Sequence, residues 1–224
     1  MKTLVMWRHG QTDYNKQQRV QGQVDIPLNE TGIAQARDAA AGLARFPFTR
    51  VVSSPLGRAL DTAHALADRL GLPVEVDERL MERAFGTWEG LNATEIKAGW
   101  PDDFTTWRDF GDPDPETTKV EPRREVGLRV SQAYRDWADK IADDETILFV
   151  SHGSATTQGI VTLLGHDPAQ WYGLRGLDNC HWAVVQSEHR EPYWRIDSYN
   201  VGVSERRYPW CFLLFPRALG EGLT

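Results

Sequence analysis

The chain has 224 residues, of which 41% are hydrophobic and 25% are charged, a composition typical of one ordinary globular domain with a sizeable core. Its formal net charge of −7 argues against general nucleic-acid binding, which needs a basic surface, and against anionic membranes. The opening apolar run is too short for a signal peptide and no run is long enough to span a bilayer, so we expect a cytoplasmic protein.

The first candidate site follows the apolar run over residues 3–7, which predicts a buried strand. Arg8, His9 and Gly10 come directly after it, and the glycine lets the backbone turn sharply at the sheet edge. Ligands of open α/β sheets bind beyond the carboxyl ends of strands, so Arg8 and His9 are candidates for chemistry. A histidine in this position is more often a hydrogen-bonded structural residue, and the motif alone leaves both roles open.

Residues 13–27 have neither helical nor strand periodicity and predict a loop beside this edge. Polar side chains in or next to this loop could donate hydrogen bonds to a ligand, namely Thr12, Asn15, Arg19 and Gln21. For Arg19 we expect exposure to solvent instead. A helix then begins at a cap formed by Asn29 or Thr31 and extends to about residue 45. Its buried face is expected to carry Ile33, Ala36, Ala40 and Leu43.

A second strand over residues 50–53 is followed by Ser54 and Pro55, a serine cap with proline at the first helical position. The predicted helix extends to about residue 70, and Arg58 lies in its first turn. A cation there opposes the helix dipole at a cost of roughly 0.3–1 kcal/mol. Because helix N-termini bind phosphates, the position suits an arginine beside a bound anion, and an arginine pointing into water is the equal alternative.

The stretch over residues 80–90 combines carboxylates, aromatic rings and glycines, and predicts a loop folded over a site. Glu82 and Glu89 are both candidate acids, and composition does not choose between them. Two short helices are predicted over residues 92–99 and 102–110. Their aromatic side chains could form a lid over a ligand or a small satellite core, and these are Trp100, Phe104, Trp107 and Phe110.

Residues 111–122 are acidic and contain proline, and they predict a surface loop. A long amphipathic helix over residues 125–141 and a buried strand over residues 146–150 come next. This strand ends in Ser151-His152-Gly153, and like the first strand it is followed by a histidine and a glycine. A further helix is predicted to extend to about residue 164.

Two late strands over residues 180–186 and 193–198 predict a hairpin. Cys180 and Cys211 lack the spacing of metal ligands and are expected to be free thiols. The tail over residues 206–224 is basic and then apolar, and could cover the fold or meet a partner chain.

The alternation of strands and helices predicts an α/β fold, a three-layer α/β/α sandwich with a mainly parallel central sheet and a small cap over the active site. The carboxyl ends of parallel strands meet at one edge, which would bring together Arg8, His9, Arg58 and His152. Guanidinium groups match phosphate oxygens with paired hydrogen bonds, and imidazole can act as nucleophile, acid or donor near neutral pH. We therefore expect a local cationic site for an anionic ligand in this acidic protein.

Several motifs occur in a fixed order between residues 4 and 165. They are Arg8-His9-Gly10 with Thr12 and Asn15, Gln21-Gly22, Ser53-Ser54-Pro55 with Arg58-Ala59 and Thr62-Ala63, Glu82 with Phe85-Gly86 and Trp88-Glu89-Gly90, and Ser151-His152-Gly153. This ordered set resembles the histidine phosphatase superfamily, in its phosphoglycerate-mutase-like branch. The resemblance implies a single domain over residues 1–224, with a cap insertion at about 91–122 and a C-terminal tail at about 204–224.

The resemblance implies that His9 attacks phosphorus and becomes phosphorylated, while Arg8, Arg58 and His152 neutralise the phosphoryl oxygens. It also selects Glu82 over Glu89 as the group that protonates the leaving oxygen and then takes a proton from water. Contacts to the phosphate or the adjoining substrate are implied for Thr12, Asn15, Gln21, Gly22 and Gly153. Neither a metal nor another cofactor is expected, because arginines supply the positive charge.

Two stretches depart from the pattern of the family. Many relatives carry a Gly-Gly-Glu-Ser-like stretch before the long helix, where this chain reads Val120-Glu121-Pro122-Arg123-Arg124-Glu125. Substrate contacts from this segment are therefore not carried over. The segment over residues 154–158 lacks the arginine that is often seen after the second histidine.

We expect a phosphatase of a small-molecule phosphomonoester, because residues 85–90 resemble phosphatase members more than mutases. The run over residues 8–15 is similar to that of actinobacterial phosphatases of glucosylated phosphoglycerate, so the expected substrate is a phosphoglycerate-type or sugar phosphate ester. The alternatives are a cofactor-dependent phosphoglycerate mutase and, from another class, a non-catalytic module that binds a phosphorylated ligand. A metal site of His9, His152 and Glu82 is a fourth hypothesis, and unchanged activity in a chelator would exclude it. The sequence leaves the oligomeric state open, a homodimer included.

Overall fold

One mixed sheet organises the computed structural model, which describes residues 1–203. The predicted tail and Cys211 lie outside the described residues. The six strands in the described part are β1 (Thr3–Arg8), β2 (Phe48–Ser53), β3 (Val74–Val76), β4 (Thr146–Ser151), β5 (Trp182–Ser187) and β6 (Trp194–Val201). Their order is β3-β2-β4-β1-β5-β6, with the first four parallel and the β5–β6 hairpin antiparallel at one edge. The predicted mainly parallel sheet and the late hairpin are both confirmed.

Helices cover both faces of this sheet. Within residues 1–203 they are α1 (Asp13–Lys16), α2 (Glu30–Leu43), α3 (Gly57–Leu70), α4 (Ala93–Gly99), α5 (Pro101–Phe110), α6 (Pro115–Thr118), α7 (Arg123–Ala138) and α8 (Gly153–Leu163). Single turns of 3-10 helix cover Glu78–Leu80 and Gly86–Trp88. In this part of the chain, none of the helices is both long enough and apolar enough for a membrane crossing.

Alternate residues of the central strands pack into the cores on opposite faces of the sheet. On β4, Leu148 and Val150 belong to the core that includes buried residues of α2 and α3, whereas Ile147 and Phe149 belong to the core with α7 and α8. All six residues of β4 are buried, as expected for a parallel strand covered by helices on both sides. Full burial of each large apolar side chain contributes about 1.5–3 kcal/mol, so these two cores hold the sheet edge rigid. The predicted three-layer sandwich is confirmed.

The predicted start of the helix after β2 was wrong. Helix α3 begins at Gly57, with Leu56 at the N-cap position, and the Gly57 N–H donates to the carboxylate of the distant Asp25 at 2.9 Å instead of to a local cap. Ser54 is instead fully buried, and its hydroxyl lies 2.8 Å from Nε2 of His152. A long-range contact at the sheet edge therefore uses the side chain that the local pattern assigned to a cap.

Three smaller predictions also differ from the structure. Ile33 is 50% exposed, because it lies in the first turn of α2 and at the border of the buried face, which is formed by Gly32, Ala36, Ala39, Ala40 and Leu43. Residues 13–16, predicted as loop, form α1 behind a capping box between Thr12 and Asn15. The predicted surface loop over residues 111–122 contains α6, capped by Asp114, and buries Val120.

The aromatic segment before this loop forms a satellite core, one of its two predicted alternatives. The cluster consists of Trp88, Ile96 and Val120, with Trp100, Phe104 and Trp107 among the partly buried residues packed against it. Phe110 is 68% exposed and takes no part. These rings therefore support α4 and α5 against the 3-10 turn at Gly86–Trp88.

Candidate active site

Three neighbouring parallel strands deliver the candidate residues to one edge of the sheet. In the β1–β4 pair, Arg8 lies opposite Ser151, so His9 and His152 leave the sheet side by side. Their ring centroids are 5.1 Å apart. Strand β2 lies on the other side of β4, and the Ser54 backbone N–H donates to the Val150 carbonyl at 2.9 Å. The predicted convergence at the carboxyl ends of the strands is therefore present.

The surroundings of His9 leave its Nε2 unprotonated. Its Nδ1 lies 2.7 Å from the Gly10 carbonyl oxygen, which can only accept, so Nδ1 carries the proton and Nε2 keeps its lone pair. Burial, and after it the charges of Arg8 and Arg58, hold the pKa of His9 well below its usual value. A buried, neutral imidazole with an unprotonated Nε2 is suited to nucleophilic attack.

Gly10 lets the chain turn after His9. A Cβ at Gly10 would lie 2.5 Å from the carbonyl oxygen of Gly32, so no larger residue fits without moving the backbone. The Gly10 N–H donates to the hydroxyl of Thr62 at 3.1 Å, and that hydroxyl donates to the Arg58 carbonyl at 2.8 Å. The first turn of α3 is thereby tied to the turn that carries His9.

His152 faces the same edge from a fully buried position. Its Nε2 contacts Ser54 Oγ, and its Nδ1 has no hydrogen-bond partner within residues 1–203. Burial, and after it the charge of Arg58, hold the pKa of His152 well below its usual value. Ser54 was missing from the predicted site, and its place directly after a buried strand was the available indication.

The two arginines are anchored by backbone carbonyls. Arg58 is fully buried and donates from Nη1 to Val24 and from Nη2 to Gly22, each at 2.8 Å. Arg8 donates from Nη1 to the Leu177 carbonyl. Burial lowers the pKa of both guanidinium groups, and the negative charge of Glu82 partly compensates in each case.

Three buried nitrogens of these residues have no hydrogen-bond partner in the described part of the chain, and they are Arg8 Nε, Arg58 Nε and His152 Nδ1. An unpartnered buried polar group costs about 1–3 kcal/mol. Both arginines lower the pKa of both histidines, so the four side chains lie within electrostatic reach of one another. A cationic cluster with unused nitrogens is suited to a ligand rich in acceptor oxygens, such as a phosphate group.

The structure distinguishes the two candidate acids. The carboxylate of Glu82 accepts from Ala155 N at 2.8 Å and Ser154 N at 3.2 Å, so it lies at the N-terminus of α8 beside His152. There the helix dipole favours a negative charge. Glu89 Oε1 accepts from the backbone N–H groups of Gln23 and Phe85, each at 3.0 Å, and thereby holds two loops together.

The predicted ligand-binding loop holds two amide side chains. Thr12 is fully buried, and its hydroxyl lies 2.8 Å from Gln21 Oε1 and 3.2 Å from Asn15 Oδ1. Asn15 Oδ1 also accepts from Asn179 Nδ2 at 3.2 Å, and Asn179 Nδ2 lies 3.1 Å from the His9 carbonyl. The oxygens of both amides are thus engaged, and within residues 1–203 their NH2 groups donate to no protein atom. Sequence reasoning missed Asn179, which lies in an irregular segment far along the chain.

The two predicted glycines line the arginines. Gly22 has φ +53°, and a Cβ there would lie 2.0 Å from Glu89 Oε1. A Cβ at Gly153 would lie 3.4 Å from Arg8 Cζ, so the start of α8 approaches that guanidinium closely. The structure therefore brings all ten predicted site residues to one region, with Thr12 behind the two amides.

The buried histidines predict how stability depends on pH. Below about pH 6.5 the unfolded chain binds protons on His9 and His152 while the folded chain does not, so the free energy of unfolding should fall. Each histidine contributes up to about 1.4 kcal/mol per pH unit until the pH reaches its lowered folded pKa. Urea titrations across this range, without phosphate, measure the slope.

The control compares substitutions at buried and exposed histidines. A His9→Asn/His152→Asn double variant should lose this part of the slope, whereas His189→Asn, at an exposed position, should keep it. A double variant with the same slope as the parent would show that the two histidines are not held neutral in the fold.

Comparison with known proteins agrees with this geometry. The family model described as "Histidine phosphatase superfamily (branch 1)" matches residues 4–202. Glucosyl-3-phosphoglycerate phosphatase of Mycolicibacterium vanbaalenii is 36% identical over 218 residues, covering 90% of this chain and 95% of that relative. The structure of a mycobacterial glucosyl-3-phosphoglycerate phosphatase complexed with VO3 is 35% identical, with a TM-score of 0.81, 90% of this chain covered and 100% of that one.

A third relative comes from a eukaryote. The phosphoserine phosphatase of Entamoeba histolytica, in complex with 3-phosphoglyceric acid, is 29% identical with a TM-score of 0.78, and the match covers 90% of this chain and 98% of that one. The sequence motifs, the sheet order and these matches agree over almost all of the described residues. The chain belongs to the histidine phosphatase superfamily.

Proposed function

We propose that the protein is a phosphatase that hydrolyses a small phosphoglycerate-type or sugar phosphate monoester through a phosphohistidine on His9. The observation that carries this proposal is the neutral His9, with an unprotonated Nε2, beside the buried Arg58, the half-buried Arg8 and His152 at one sheet edge. The relatives named glucosyl-3-phosphoglycerate phosphatase and phosphoserine phosphatase support the class of ester.

The reaction proceeds in two balanced steps. In the first, His9 Nε2 attacks phosphorus and the bond from phosphorus to the alcohol oxygen breaks. Glu82, which takes up a proton when the anionic ester binds beside it, gives that proton to the alcohol oxygen. In the second, Glu82 takes a proton from water as the water oxygen attacks phosphorus and the bond to His9 breaks. Throughout, Arg8 and Arg58 neutralise charge on the non-bridging oxygens and His152 donates a hydrogen bond to one of them. Such electrostatic stabilisation is the main source of catalysis in phosphoryl transfer.

Several side chains position the ester. The NH2 groups of Asn15 and Gln21 donate to the phosphate or the adjoining substrate. Thr12 holds both amide oxygens, Gln21 Oε1 through its hydroxyl and Asn15 Oδ1 through its backbone N–H. Gly22 contributes through its carbonyl, which accepts from Arg58 Nη2, and Gly153 contributes by leaving space beside the guanidinium of Arg8.

Ser54 sets the tautomer of His152. When the Ser54 hydroxyl donates to Nε2, the imidazole proton resides on Nδ1 and can be donated to a phosphoryl oxygen.

The test is a screen of phosphorylated metabolites with released inorganic phosphate as the readout. Release to water from a phosphoglycerate-type or sugar phosphate ester is the expected result. Transfer to a hydroxyl of phosphoglycerate without release would favour the mutase, and binding without turnover would favour the non-catalytic module. Activity retained in a chelator would exclude the metal hypothesis. The single domain with a cap, the cytoplasmic location and the homodimer stay predictions.

Replacing Glu82 with glutamine tests the proposed acid. We expect kcat/KM for alkyl phosphates, which reports the step in which the alcohol leaves, to fall roughly 10²–10⁴-fold, because their leaving oxygen needs a proton. The loss of kcat/KM for p-nitrophenyl phosphate should be much smaller, since its leaving group is stable as an anion. Glu89→Gln is the matched control, because Glu89 fastens loops and should affect both esters equally. Equal losses on both esters in Glu82→Gln would remove the acid role.

A further inference from the structure

We propose that Arg129 is a positioning residue for Glu82, because it fixes the main chain that carries this carboxyl group and is itself fixed by Glu121. Arg129 lies in the second turn of α7, and within residues 1–203 its one hydrogen bond to a residue of the site described above goes to the main-chain carbonyl of Glu82. The proposal rests on the proposed function, in which Glu82 is the acid and base.

Arg129 uses every hydrogen-bond donor of its guanidinium, which has five N–H groups. Nη1 donates to the carbonyls of Arg79 and Met81, each at 2.7 Å, and Nη2 donates to the carbonyl of Glu82 at 3.1 Å. The remaining two donors bind Glu121, Nε to Oε1 at 2.7 Å and Nη2 to Oε2 at 2.9 Å. One side chain thus holds three carbonyls that precede or belong to the proposed acid.

Glu121 holds the other side of the same segment. Its Oε2 accepts from the Ala84 N–H at 3.0 Å, and its own N–H donates to the Ala84 carbonyl at 2.9 Å. The bidentate pair with Arg129 is largely shielded, with 21% and 17% of the two side chains exposed. Glu82 therefore lies between main-chain atoms held by Arg129 before it and by Glu121 after it.

The segment needs such support because little regular structure holds it. Between the 3-10 turn at Glu78–Leu80 and the turn at Gly86–Trp88, residues 81–85 belong to no helix or strand. The carboxylate of Glu82 must nevertheless reach the N–H groups of Ser154 and Ala155. Proton transfer depends steeply on distance, and a displacement of about 1 Å at a reacting group can cost on the order of 10²-fold in rate.

The test is a double-mutant cycle in the full-length protein with Arg129→Met, Glu82→Gln and the combined variant. Substrates are glycerol 2-phosphate, with a poor leaving group, and p-nitrophenyl phosphate. We expect Arg129→Met to lower kcat/KM for glycerol 2-phosphate roughly 10–100-fold more than for the aryl ester, with the inhibition constant of inorganic phosphate changed by less than about threefold. In the Glu82→Gln background, Arg129→Met should change kcat/KM by less than about twofold, because the group it positions is gone.

A second variant and a control separate positioning from general damage. Arg129→Lys keeps the charge but has only three donors, and it should give a smaller loss with the same preference between esters. It carries the test if Arg129→Met does not fold. The control is Arg135→Met on the same helix, which loses a bond to the Leu163 carbonyl and should leave the ratio of the two esters unchanged.

The outcomes are distinguishable. If Glu82→Gln lowers activity on the two esters unequally but the Arg129 variants lower both activities equally, the positioning role is overturned and the acid role stands. The same conclusion follows if the losses from Glu82→Gln and Arg129→Met multiply in the combined variant. If Glu82→Gln itself affects both esters equally, the acid assignment and the inference built on it both fall.

Discussion

Replacing His9 with alanine is expected to abolish turnover of phosphate esters, with a loss on the order of 10⁴-fold or more, because the covalent step has no other nucleophile. The fold should persist. Within residues 1–203, the side chain of His9 makes one hydrogen bond, to the carbonyl of its neighbour Gly10, so the substitution breaks little that holds the fold. Released phosphate and a thermal unfolding curve measure the two effects.

A covalent trap makes this prediction specific. After a brief incubation with a radiolabelled ester and a rapid quench, the parent should carry acid-labile label, and His9→Ala should carry none. His64→Ala, at an exposed position on α3, is the control and should behave as the parent. Activity of His9→Ala within about tenfold of the parent would contradict the nucleophile assignment.

The positions of His9 and His152 could be predicted because the pattern that places them is local. Each follows a short buried strand and precedes a glycine, and two such strands in a parallel sheet end at the same edge. The same argument predicted the position of Arg58, which lies in the first turn of the helix after β2. For these residues, chain order and burial were sufficient, since neighbouring parallel strands fix the distance between their ends.

The contacts of Ser54 and Thr12 could not be predicted in the same way. Ser54 before a proline is a good helix cap by local pattern, yet its hydroxyl contacts His152, 98 residues away. Thr12 was expected to contact the substrate, and the contacts that the structure shows for it, as the cap of α1 and to Gln21 Oε1, were not predicted. In both cases a short polar side chain has several possible partners, and only the packed fold selects one.

The choice between Glu82 and Glu89 depends on equally distant partners. Both lie in one irregular stretch, and the helix N-terminus that receives Glu82 comes more than 70 residues later. The departure from the family pattern around Glu121 has a physical account of the same kind. The side chain of Glu121 faces Arg129 and Ala84, so this segment supports the stretch that carries Glu82.

Replacing Arg58 with methionine is expected to damage catalysis and stability together. The rate constant kcat/KM should fall roughly 10²–10³-fold or more, as for loss of a donor to the developing charge in other enzymes. The substitution also leaves the carbonyls of Gly22 and Val24 without their donor, which costs about 1–3 kcal/mol for a buried group. Relief of repulsion with Arg8 offsets only part of this cost, because Arg58 is fully buried and its contacts hold the substrate loop.

Two readouts separate the electrostatic role of Arg58 from its structural one. Arg58 lowers the pKa of both histidines, so its removal should raise the pKa of His9 and move the acid limb of the pH–rate profile to higher pH. Inorganic phosphate should raise the Tm of the parent by binding the folded state, and should raise that of Arg58→Met far less. Arg69→Met, exposed at the far end of α3, should match the parent in both measurements. An unmoved acid limb together with full stabilisation by phosphate would mean that Arg58 only braces the loop, because a cation facing the phosphoryl group cannot be removed without changing both.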